Sequence, residues 1–226
     1  MAFWDKLFGK ERGNDPEKKE ENQNEMNPVV QKYISGLRDA YFRNDGVEEW
    51  KHFEAVIHGA EKESLDKIRN FHPEIPSALI DLLGYVDGTY WRKYKEEKIT
   101  FFLLGSDVDE YPYYLLSSKE IIENRNNAKE YFSDYIDGKY DGIDIDEKIT
   151  NKSDSINWLH FSDCMNNGGT SSLFIDFSPS KKGEIGQVVR FLHDPDEFKV
   201  IAQSFEHYLN FLIDTGFNFI NEETVE

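Results

Sequence analysis

Residues 158–212 read WLHFSDCMNNGGTSSLFIDFSPSKKGEIGQVVRFLHDPDEFKVIAQSFEHYLNFL. Trp158 to Phe161 predicts a strand. Asn166-Asn167-Gly168-Gly169 then supplies the positive backbone angles that a tight hairpin needs. Leu173, Ile175 and Phe177 alternate with Phe174 and Asp176, the two-residue period of a pleated strand. Gly186 to His193 alternates again, and Asp194-Pro195-Asp196 turns the chain into Phe198 to Ala202. Ser204 stands where a helix cap belongs. Phe205, Tyr208, Leu209 and Leu212 follow at helical spacing, and Gly216 closes the helix.

Working back from this core, Ile99–Leu104 (ITFFLL) and Tyr113–Leu116 (YYLL) are β-prone runs separated by a Gly105-Ser106-Asp107 turn. Ser117 and Ser118 can cap a helix running through Ile121 and Ile122 to about residue 132. Residues 130–147 hold seven acids against one lysine, Lys139, which predicts an exposed insertion. Further upstream the period is helical. Pro76 opens a helix carrying Leu79, Ile80, Leu82 and Leu83, and Asp87-Gly88 turns the chain after it. Leu65 and Ile68 mark another helix. Trp50, Phe53, Val56 and Ile57 mark a third, stopped at Gly59. Asn27-Pro28 caps and starts a helix with Val30, Tyr33, Ile34, Leu37 and Tyr41 on one side. Residues 10–27 are almost wholly polar and predict a flexible linker behind an apolar tip of Phe3, Trp4, Leu7 and Phe8.

The expected fold class is α+β: an antiparallel sheet of about five or six strands flanked by helices, with an N-terminal helical extension. The expected divisions are a tip and linker over 1–27, a helical extension over 28–59, an α+β domain over 60–215 and a tail over 216–226.

Composition narrows the partners. Hydrophobic residues make up 38% of the 226, enough for a core, while the net charge is -18. That field repels phosphate backbones and anionic lipid, so nucleic acid and membrane are excluded as direct partners and a basic protein is favoured. Cys164 is the single cysteine. An internal disulfide is therefore impossible, and a reducing compartment, the cytoplasm, is expected. No apolar run reaches the 18 residues of a membrane span, and the N-terminus has no signal-peptide pattern.

Motifs for chemistry fail one after another. Asp137–Lys148 resembles an EF-hand loop but has Lys139 and Lys148 where carboxylates must bind calcium. The six histidines form no i, i+4 helical pair, and CxxC is missing. His160 and Cys164 stand four apart on an expected strand end and loop, a spacing that does not converge. No GxSxG is present. Asn167-Gly168-Gly169-Thr170 lacks the lysine and the helix N-terminus of a phosphate loop. No catalytic residue, metal or cofactor is expected. An aromatic and acidic cluster does stand out: Asp87, Tyr90, Trp91, Asp109, Glu110 and Tyr113. Tyrosine and tryptophan are enriched at binding hot spots, and acidic neighbours suit a basic partner. The same aromatics would serve equally as packing between helix and sheet.

Pro76, Leu79, Leu82-Leu83, Asp87-Gly88 and Trp91 resemble the helix-then-turn signature of the SUKH superfamily, the family of the fungal cell-wall and glucan-synthesis regulators. Trp158-Leu159, Gly168-Gly169, Asp176 with Pro179, Gly183, Gly186-Gln187-Val188 and His193-Asp194 are similar to its β core, and Ala202, Ser204, Phe205 and Leu209 to its closing helix. The likeness spans about residues 60–213. One departure is Asp87, where the family usually has Asn. The resemblance implies an α+β scaffold without catalytic residues that binds protein. Its implied role is that of a bacterial immunity protein neutralising a toxin domain such as a nuclease. The alternatives are a regulatory adaptor of the cell-wall-regulator type or a small-ligand module.

Overall fold

The computed structural model describes residues 26–108, 111–166 and 169–225. The apolar tip and nearly all of the expected linker lie outside them, as do Asp109, Glu110 and Gly168.

Helices come first: α1 (Pro28–Arg43), α2 (Val47–Val56), α3 (Lys62–Phe71) and α4 (Ser77–Tyr85). The Asn27 side chain caps α1 by accepting from the Val29 N–H at 2.9 Å, while its own N–H reaches Asp81 on α4. A small hairpin follows, β1 (Arg92–Tyr94) with β2 (Glu97–Ile99). Then come β3 (Tyr114–Leu115), α5 (Ser118–Glu123), α6 (Asn127–Ile136) and β4 (Asp144–Ile145). The run β5 (Trp158–Asn166), β6 (Gly169–Asp176), β7 (Gln187–Leu192) and β8 (Glu197–Ala202) leads into α7 (Phe205–Asp214) and α8 (Glu222–Val225). Among the described residues the main sheet has six strands in the order β3-β5-β6-β7-β8-β4. Every pair is antiparallel except β4 with β8. The fold is α+β.

Each face of the sheet has its own core. Leu159, Phe161, Leu173, Ile175 and Val188 point to one face, where Val30, Tyr33 and Leu37 of α1, Leu82 of α4, and Tyr208, Leu209 and Leu212 of α7 bury them. Phe217, Phe219 and Ile220, in the expected tail, join that core. Trp158, Phe174, Val189, Phe191 and Phe198 point to the other face, beneath Ala128, Phe132 and Ile136 of α6. The 130–147 stretch is thus not simply an exposed insertion. Phe132 and Ile136 within it, with Ala128 just before it, roof the second face, and Asp144–Ile145 form strand β4.

The ITFFLL run departs from expectation as well. Only Ile99 belongs to a strand, with a single bridge from Leu104 to Tyr113. The reason lies in the helices. Tyr33, Tyr41 and Tyr208 donate their hydroxyl hydrogens to the carbonyls of Leu103, Phe102 and Gly105. Phe101 is stacked between Tyr41 and Phe53, at centroid separations of 4.5 and 3.9 Å. Helix side chains hold this segment where a neighbouring strand would otherwise do so.

Candidate functional site

The cleft beside α6, about 480 Å³ in volume, is open to solvent. One wall is the second face of β5 and β6, the other is α6, and Tyr90 and Tyr114 close one end. It exists because α6 covers only part of that face.

A β-bulge sets its floor. The pairing of β5 with β6 skips a residue between His160 and Ser162, so Phe161 is the extra residue. In an unbroken strand His160 and Asp163, three apart, would face opposite ways; the bulge turns both into the cleft. His160 Nε2 lies 2.6 Å from Asp163 Oδ1, and Ser172 Oγ donates to that same oxygen at 2.6 Å. The His160 ring stacks on Phe174 with centroids 4.7 Å apart. Tyr114 stands on the rim, its ring 4.8 Å from Tyr90 and 4.7 Å from Phe102. On the helix side, Tyr131 is 70% exposed and Tyr135 is half-buried one turn on.

Neither the serine nor the cysteine of this set is activated as a nucleophile. A serine nucleophile needs its hydroxyl on the imidazole, whereas here the carboxylate takes both the serine hydrogen and the histidine nitrogen. Burial pushes the Cys164 thiol up to about 12, with the Asp163 charge adding to it. A thiol so placed stays protonated and is a poor nucleophile. Burial, and then Cys164 and Tyr90, also raise the Tyr114 hydroxyl, which stays neutral. Among the described residues no group of three or more histidine, cysteine or carboxylate side chains is arranged to hold a metal. Among them, too, no helix is long and apolar enough to cross a membrane.

The residues expected to bind a partner separate into two sets. Tyr90 lines the cleft, and Trp91, 62% exposed at φ 49°, stands beside it at the mouth of the β1–β2 hairpin. Asp87 and Tyr113, by contrast, are buried. Asp87 accepts from the Ser118 N–H at 2.7 Å and from Arg92 Nη2 at 2.6 Å, tying the end of α4 to the start of α5. The Tyr113 hydroxyl pairs with Ser171 Oγ inside the sheet. Asp107, in the same turn, is taken up by Arg190 and Lys199.

Most of the motif residues hold the frame. Pro76 is the N-cap residue of α4. Gly88 sits at φ 87° with no room for a Cβ beside Ser117. Trp158 is buried in the second core and Phe205 in the first. Gly169 pairs with Asn166 at the hairpin end. Asp176, wholly buried, accepts from Gln187 Nε2 and from the Ser178 N–H and hydroxyl. The Gly186 N–H returns to the Asp176 carbonyl, and Ser204 caps α7 through the His207 N–H. His193 differs: it is exposed, paired with Asp196 at 2.6 Å, and lines the cleft.

The convergence of His160, Asp163 and Ser172 could not be read from spacing, because it depends on the bulge and on β5 running on to Asn166 where a loop was expected. Tyr131 and Tyr135 did carry a signal. They lie four apart, beside the 128/132/136 apolar stripe, within the stretch whose acidity suggested an insertion.

A family model described as SMI1/KNR4 family (SUKH-1) matches residues 59–210. No curated protein matches the chain.

Proposed function

The chain belongs to the SMI1/KNR4 family (SUKH-1), whose members act through protein interactions, are generally non-catalytic and include immunity-protein-like proteins and cell-wall regulators; from that premise we propose that it is a cytoplasmic immunity protein that captures and neutralises a basic toxin domain, such as a nuclease. The observation that carries this reading is the open, tyrosine-walled cleft. Tyr131 stands exposed at its edge, and Trp91, next to cleft-lining Tyr90 in the chain, is exposed as well; a monomeric protein gains nothing from leaving such rings in water. The net charge of -18 complements a basic partner and speeds its capture.

The test is to mix the purified chain with the toxin domain encoded beside its gene and titrate the toxin's activity. Stoichiometric, salt-sensitive inhibition within a stable complex is expected. Inhibition by substoichiometric amounts would instead mean turnover, and no complex at all would refute the reading. Deleting residues 1–27 separates the adaptor alternative: an adaptor docking through that segment loses its partner, while the immunity protein keeps it.

A further inference from the structure

We propose that the α6 cleft is a socket for an arginine side chain of the partner protein. This inference deepens the protein-binding reading and rests on it. Four tyrosines, Tyr90, Tyr114, Tyr131 and Tyr135, surround the cleft, and at its floor lies the Asp163 carboxylate. Asp163 Oδ1 is occupied by His160 and Ser172, which fix the group in place. The side chain is about a third exposed, so the carboxylate keeps a face toward the cleft. Among the described lining residues Asp163 is the sole acid. Aromatic faces and one anchored carboxylate are the two features that recognise a guanidinium, which stacks flat on a ring while its edge forks onto oxygen. The volume of about 480 Å³ lies toward the small end of ligand sites and suits one long side chain better than a helix.

Two features of the cleft favour an anion instead: His160 and His193 line it, although carboxylates, Asp163 and Asp196, already pair with them. The first turn of α6, at Asn127 and Ala128, also lines it. Glu130 in that same turn offsets the helix dipole. With Asp163 at the floor and -18 overall, the balance goes to a cation.

The experiment is a heteronuclear NMR titration of the full chain with four capped tripeptides, Gly-Arg-Gly, Gly-citrulline-Gly, Gly-Lys-Gly and Gly-phosphoserine-Gly. Citrulline keeps the shape of arginine and removes its charge. The expected result is binding of the arginine peptide, with resonance shifts at Tyr131, Asp163 and His160. The citrulline and lysine peptides should each bind about tenfold more weakly. Asp163→Asn retains an acceptor for His160 and Ser172, and Tyr131→Ala removes an exposed ring, so both variants should fold and both should lose the arginine peptide. Equal binding of arginine and citrulline peptides, shifts located elsewhere, or tighter binding of a phosphate-bearing peptide would overturn the proposal. The same variants are then mixed with the neighbouring toxin domain. A complex that forms equally well with both variants overturns the socket and leaves the immunity reading standing. Failure of the wild-type chain to bind that toxin removes the immunity reading, while the peptide result still decides the socket.

Discussion

Two residues show how single side chains hold this fold. A Cβ on Gly88 would lie 2.7 Å from the Ser117 backbone nitrogen, at a φ of 87° that L-residues resist. Gly88→Ala should therefore cost about 2 kcal/mol or more in urea denaturation. Asp107 is the electrostatic counterpart. Burial alone would raise its carboxyl, but hydrogen bonds and charge from Arg190 and Lys199 outweigh burial and hold it below the ordinary 3.8. A carboxyl lowered by folding stabilises the native state above its ordinary value, and that contribution is lost as pH falls through the lowered one. Asp107→Asn should cost about 2 kcal/mol at neutral pH, because buried Arg190 then keeps only Glu197 as a charged partner. It should also flatten the loss of stability between pH 5 and the acid extreme, as followed by thermal melts across pH.

At the scale of elements, α6 carries the second core and the cleft on adjacent stripes. Phe132 meets Phe174, Phe191 and Phe198 within 5.6 Å between ring centroids. Phe132→Ala should cost about 3–5 kcal/mol. Tyr131→Ala, one residue away and largely exposed, should change stability by less than about 0.5 kcal/mol; calorimetric melts of the two variants separate the stripes. The strands β5 to β8 and helix α7 were legible because alternation, turn residues and the Ser204 cap all pointed to one structure. The 99–104 segment misled because its β-prone residues face a requirement that no local pattern shows: the Phe102 and Leu103 carbonyls are satisfied by tyrosines from α1, and that of Gly105 just after them by a tyrosine from α7. Helix α6 misled in the opposite sense. It lies largely within the acidic 130–147 stretch, yet Ala128, Phe132 and Ile136, spaced by four, suffice to bury one side of it. The bulge at Phe161 leaves no trace in the side-chain pattern, so the cleft's floor became visible only once β5 and β6 were paired.

For the whole molecule, shape and charge act together. The sheet is fully covered on the face shared by α1, α4 and α7, and only partly covered beneath α6, so the open surface lies beside the tyrosines. A basic partner would be drawn toward the protein over the range set by salt, about 8 Å at physiological ionic strength. Association with such a partner should slow severalfold as salt rises from low to physiological concentration, while dissociation changes less; stopped-flow or surface-binding kinetics read both. Capture of a basic protein through the tyrosine-walled cleft is tested by quantitative pull-down from an extract of the native cells, comparing wild type with a Tyr131→Ala, Asp163→Asn double variant at matched salt. A basic protein should be retained by the wild-type chain and lost about tenfold or more from the variant. Equal retention by both chains would contradict it, as would capture of nothing but acidic or non-protein ligands.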